Sequence, residues 1–161
     1  MVKDSQAFAQ TLSLPDVAAT AALGARIAAG LSPGDLVALE GDLGAGKTTL
    51  ARAILRSLGV AEDVPSPTFT LVQLYETPGL TVRHYDLYRI ENASEIAELG
   101  IDEAVEDGVA LVEWPERAGG HLPGALLHVG LRATDTNART ALLSGPAKWT
   151  PIFEESLTHA G

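Results

Sequence analysis

No cysteine occurs among the 161 residues, which excludes disulfides and thiolate metal centres. The four histidines, at positions 84, 121, 128 and 159, are too scattered to take over that ligand role. Positive charge is scarce as well: 11 Lys and Arg against 21 Asp and Glu give a formal net charge of −10. A free-standing binder of DNA or RNA phosphates is not expected on that balance, because nothing offsets repulsion from a polyanion. No run approaches the roughly 18 apolar residues of a membrane span, and the most apolar early stretch, Val17 to Leu31, is interrupted by Arg26. The opening Met1-Val2-Lys3-Asp4 leads into no signal-peptide core, so the expectation is a cytoplasmic protein without a membrane partner. Internal repeats and dividing linkers are also missing, and the length suits one domain over residues 1–161.

What is present describes a folded α/β chain. Hydrophobic residues at 46% and charged residues at 20% rule out disorder. Strands are expected at Ala7 to Leu14, at Asp35 to Glu40 with its apolar run Leu36-Val37-Ala38-Leu39, and at Val109 to Val112. Hairpins are expected for Leu71 to Tyr75 with Leu80 to Tyr88, and for Ala125 to Ala133 with Ala138 to Leu143. Helices are expected at Pro15 to Leu31, where Asp16 favours the positive end, and at Lys47 to Leu58 with Leu50, Ile54 and Leu58 on one side. A third helix, Ser94 to Asp107, is broken by Gly100, and a short one follows Ala147. This mixture indicates a sheet with parallel strands near the centre and antiparallel additions at its edges.

Gly41-Asp42-Leu43-Gly44-Ala45-Gly46-Lys47-Thr48 matches the phosphate-loop pattern, with an expected strand before it and an expected helix after it. Glycines let the backbone N–H groups of Asp42, Leu43, Gly44, Ala45 and Gly46 turn inward toward phosphate oxygens, where a Cβ would obstruct approach. The helix starting at Lys47 adds roughly half an elementary charge at its N-terminus. The Lys47 ammonium, on one of only three lysines, reaches β- and γ-phosphates, and the Thr48 hydroxyl is a ligand for Mg²⁺. Thr49 is placed to meet the α-phosphate. An overall acidic chain must bind such an anion through local attraction, since screening acts over roughly 8 to 10 Å.

Hydrolysis also requires carboxylates to hold the metal and orient water. Glu113 follows a buried-strand run, the Walker-B arrangement, although an aspartate is more usual there; the other reading is a strand-end glutamate facing solvent. Asp86, in His84-Tyr85-Asp86-Leu87-Tyr88-Arg89, either serves the site or pairs with Arg89 or Arg83. Ser66-Pro67-Thr68-Phe69-Thr70 either offers a hydroxyl to the metal or γ-phosphate, or forms a proline turn with local hydroxyl bonds. On residues alone the turn is favoured, and Trp114 beside Pro115 reads as packing. Between Glu91 and Glu116 stand nine acidic and no basic residues, by default a solvated face, in a sharper reading a docking surface for a basic partner.

Assembled in order, these segments resemble the TsaE (YjeE) family of bacterial ATPases, which act in making threonylcarbamoyladenosine in transfer RNA. The resemblance runs through Gly41 to Thr49, Ser66 to Val72, His84 to Arg89, Leu99-Gly100-Ile101 and Glu113-Trp114-Pro115-Glu116, covering residues 15 to 117. It implies a P-loop NTPase-like three-layer sandwich, Mg²⁺-dependent ATP hydrolysis, and work with the TsaD and TsaB proteins, which reach the tRNA themselves. It carries phosphate-binding roles onto Lys47, Thr48 and Thr49, the metal-linked carboxylate onto Glu113, and the essential acidic position onto Asp86. Lys47, Asp86 and Glu113 thereby become the catalytic set, and Thr68 becomes the contact in a switch-like Ser66 to Phe69. Trp114 matches the family's tryptophan after the acidic residue. The resemblance further implies that hydrolysis resets the complex between rounds, with weak turnover in isolation.

Two other functions share the loop. A small-molecule kinase commonly carries an arginine-rich lid, and no arginine cluster appears. A nucleotide-sensing module would bind ATP merely to order Ser66 to Phe69. A signalling GTPase is disfavoured by the absence of an Asn-Lys-x-Asp motif.

Overall fold

A computed structural model describes residues 8–42, 45–61, 71–120, 122–123, 125–134 and 138–153. Seven strands form one sheet: β1 (Phe8–Leu14), β2 (Asp35–Glu40), β3 (Val72–Glu76), β4 (Thr81–Asp86), β5 (Val109–Glu113), β6 (Ala125–Ala133) and β7 (Arg139–Gly145). Their order is β1-β7-β6-β2-β5-β4-β3. The pairs β2–β5, β2–β6 and β4–β5 are parallel, whereas β1–β7, β6–β7 and β3–β4 are antiparallel. The expected parallel centre with antiparallel margins is what forms.

Helices α1 (Val17–Gly30) and α2 (Lys47–Ser57) cover one face. Leu23 and Ile27 of α1, with Leu50 and Ile54 of α2, pack in the same core as Val37, Leu39, Leu111 and Leu127. The opposite face carries α3 (Ile101–Asp107) and a 3-10 helix at Ala93–Leu99. There Ile101 and Ala104 join Leu36, Ala38, Ala110 and Val112. Consecutive residues of β2 therefore enter different cores, which explains its unbroken apolar run. On β6, by contrast, Leu127, Val129 and Leu131 are buried while His128 and Gly130 are half-buried, the alternation of a strand covered on one side.

Local chemistry shifts some boundaries. Asp16 is the N-cap of α1, its Oδ1 accepting from the Ala19 N–H at 2.9 Å, so Pro15 lies ahead of the helix rather than in its first turn. Leu58, expected on the buried side of α2, is the C-cap and only half-buried. The expected Ser94–Asp107 helix does break at Gly100, which takes φ 73°, but its first half is a 3-10 helix. The strand expected to reach Tyr88 ends at Asp86, where the Asp86 carboxylate accepts from the Tyr88 N–H at 3.0 Å and turns the chain.

Candidate functional site

The site lies at the C-terminal ends of β2, β4 and β5. β2 sits between β5 and β6, both parallel to it. Its chain runs on to β3 at one margin while that of β6 runs on to β7 on the other side, the reversal at which a crevice opens between adjacent strand ends. Gly41 follows β2 directly at φ 156°, and a Cβ there would stand 2.6 Å from the Leu131 carbonyl oxygen. Only glycine fits. Asp42 accepts from the Ala45 N–H at 3.0 Å, and Arg139 of β7 donates from Nε to the Ala45 carbonyl at 2.9 Å. Gly46, at φ 104° and ψ 15°, is the N-cap of α2 and supplies no side-chain cap. A helix start without a side-chain cap suits an external acceptor for its N–H groups. Leu43 and Gly44 lie outside the described residues, as do Ser66 to Phe69 with Thr68.

Lys47 is buried, with its ammonium donating to the carbonyls of Gly41 at 2.6 Å and Asp42 at 3.0 Å. The Trp114 ring lies 4.2 Å from the same nitrogen. Burial lowers the Lys47 pKa from its ordinary 10.5, against the opposing pull of Glu113, Asp86, Glu116 and Asp42. An ammonium whose hydrogen bonds among the described residues go to neutral carbonyls would gain charge-assisted bonds from an anion in the loop.

Glu113 ends β5, in register with Leu39 of β2 on one side and Asp86 of β4 on the other. It is 2% exposed, which removes the solvent-facing alternative. The Thr48 hydroxyl stands 3.0 Å from each of its carboxylate oxygens, and His84 Nε2 lies 2.7 Å from Oε2. Asp86 is buried beside it, and the Arg83 guanidinium lies 4.0 Å from Asp107. Trp114 takes φ 62°, and its N–H continues onto the Leu39 carbonyl at 3.2 Å. Its ring packs on Tyr88, with centroids 4.8 Å apart. It therefore touches the phosphate-loop lysine besides packing.

Two contributors escaped the sequence reading. His84 was visible: strand alternation puts His84 and Asp86 on one face of β4. Arg139 had no such signal, since its role depends on β7 crossing to the side of the loop. Of the acidic stretch, Glu91, Glu98, Asp102, Glu103, Glu106 and Asp107 are exposed, as a solvated face requires. A cavity of about 410 Å³ opens beside the loop between Glu40, Asp42, His128 and Arg132.

Known proteins share this arrangement of sequence and fold. The family model described as threonylcarbamoyl adenosine biosynthesis protein TsaE matches residues 14–141, well past the segment where resemblance was legible by eye. The tRNA threonylcarbamoyladenosine biosynthesis protein TsaE of Rickettsia typhi is 44% identical over 110 residues, 68% of this chain and 76% of that one. Its namesake from Bacillus subtilis is 38% identical over 142 residues, 87% and 89% of the two chains. The crystal structure of Bacillus subtilis YdiB superposes with a TM-score of 0.77 at 29% identity, covering 96% of this chain and 97% of that one.

Proposed function

This chain belongs to the TsaE family, and we propose that it is a Mg²⁺-dependent ATPase serving threonylcarbamoyladenosine formation in tRNA. The observation that carries the reading is the Thr48–Glu113 contact at 3.0 Å, made where a strand-to-helix loop ends. It sets a hydroxyl and a buried carboxylate side by side at the N-terminus of α2. Oxygen donors of this kind suit a hard divalent cation whose remaining ligands are phosphates and water. Mg²⁺ there would neutralise charge on the β- and γ-phosphate oxygens.

The protein's own residues do the rest. Gly41 to Gly46 wrap the phosphates with N–H groups, and Thr49 meets the α-phosphate. Lys47 exchanges its two loop carbonyls for phosphate oxygens, whose negative charge it balances. Thr48 and Glu113 would hold the metal. Asp86, in register with Glu113, supplies the second carboxylate, and Asp86→Asn turnover measured against Mg²⁺ concentration separates a water-orienting from a metal-holding role. Thr68, outside the described residues, is assigned the contact to the metal or γ-phosphate that the resemblance implies.

In the cell this subunit works in the cytoplasm with TsaD and TsaB, reaches tRNA only through them, and resets their complex between rounds of modification. The exposed acidic face gives no basic patch for RNA and leaves that contact to partners. The test compares phosphate release from ATP with and without the partner proteins. Faster release in the assembly is expected; equal rates would exclude a partner-activated motor, and binding without cleavage in single turnover would leave a sensing module.

A further inference from the structure

We propose that His84 is a positioning residue that locks the Glu113 carboxylate at the phosphate loop. The inference rests on the Mg²⁺–nucleotide reading of that loop and extends it to a side chain touching neither ligand.

His84 is 0% exposed in the interior of β4, a place where an aliphatic residue would pack without the desolvation cost of an imidazole. Its Nε2 stands 2.7 Å from Glu113 Oε2. Its Nδ1 is buried with no hydrogen-bond partner among the described residues. A proton on Nδ1 would be an orphaned buried donor, and Nε2 would then oppose the carboxylate with a lone pair. A proton on Nε2 with none on Nδ1 avoids both conflicts, so the imidazole donates and Glu113 accepts.

The need for this bond comes from the residue at position 113. Glutamate has one more rotatable bond than the aspartate usual at such a strand end, so a single contact from Thr48 leaves more ways to turn away. Thr48 approaches from the helix side and His84 from the neighbouring strand. Together they fix the orientation of the carboxylate before any ligand arrives, which is the condition for a preorganised site. Partners that orient ligating groups in this way typically change metal affinity by about 10- to 100-fold when removed.

The experiment measures ADP affinity by calorimetry, with and without Mg²⁺, for the native protein, His84→Leu and His84→Gln. Glutamine keeps an N–H donor at similar reach. For His84→Leu, Mg²⁺-free ADP affinity should stay native while the gain from Mg²⁺ shrinks about tenfold or more; His84→Gln should recover most of that gain. An unchanged Mg²⁺ gain in His84→Leu, or an equal loss with and without the metal, overturns the proposal. If the leucine variant fails to fold, long-range proton–nitrogen NMR of the native chain decides. An Nε2-protonated His84, assigned by its disappearance in His84→Gln, is expected; an Nδ1-protonated ring overturns the inference. A native protein without ADP affinity would sink the site reading itself, whereas the spectrum would still report whether His84 holds Glu113.

Discussion

The Lys47 ammonium stands 4.2 Å from the centroid of the Trp114 ring, joining the first residue of α2 to the residue just after β5. The same ammonium donates to the Gly41 and Asp42 carbonyls. Removing the ammonium deletes a donor that would otherwise meet phosphate oxygens with charge-assisted bonds of about 1.5 to 3 kcal/mol. Lys47→Ala should therefore weaken ADP binding roughly 10- to 100-fold with little change in thermal midpoint. Calorimetry beside a melting curve checks both, and native affinity would remove Lys47 from the site.

Glu113→Gln separates the metal role from the packing role. The amide keeps the shape, and with its oxygen toward His84 its NH₂ can donate to the Thr48 hydroxyl, which accepts as well as donates, so stability should change by no more than about 1 kcal/mol. Mg²⁺-free ADP affinity should persist, while the Mg²⁺ gain and ATP turnover should fall. Normal Mg²⁺-dependent hydrolysis in this variant would disprove the assigned role.

Gly24 tests how closely α1 must approach α2. A Cβ there would lie 2.5 Å from the Ala53 Cβ and 3.0 Å from backbone atoms of Ala53 and Ile54. Gly24→Ala gains about 1 kcal/mol of helix propensity, yet overpacking should win and destabilise by about 1 to 3 kcal/mol. Denaturant midpoints measure it, and adding Ala53→Gly should restore part of the loss.

Tyr85 sets an alkaline limit. Burial pushes its phenol up from 10.0 to about 12, with Arg83 pulling the other way, and the hydroxyl donates to the Leu99 carbonyl at 3.2 Å. Because the folded state retains a proton that the unfolded chain releases, this contribution is full below pH 10.0 and is lost as pH rises toward about 12. Stability measured across that window should fall less steeply in Tyr85→Phe; identical slopes would reject the assignment.

The loop, Lys47, Thr48 and the strand carrying Glu113 were legible because each follows from a local pattern: glycines before a helix, an apolar run before a carboxylate. The same is true of the Gly100 break and both hairpins. The approach of Glu113 to Thr48 is itself expected from a neighbouring parallel strand, and the β2–β5 pair supplies it at 3.0 Å. What stayed hidden depends on distant chain meeting in space. Arg139 on the Ala45 carbonyl and Trp114 on Lys47 are hidden for that reason. Asp86 lay between these cases: its acidity was visible, but its place beside Glu113 required the β4–β5 register.

The pairing of β1 with β7 bears on how a ribosome can deliver this protein. Among the described residues β1 pairs with β7 alone, so β1 must wait for that partner until Gly145 has cleared the exit tunnel. The corner bearing Lys47, Asp86 and Glu113 has these three residues earlier, while Arg139, which holds the Ala45 carbonyl, arrives with β7. Birth order thus divides the nascent sheet into an early-supplied working edge and a late-closing margin.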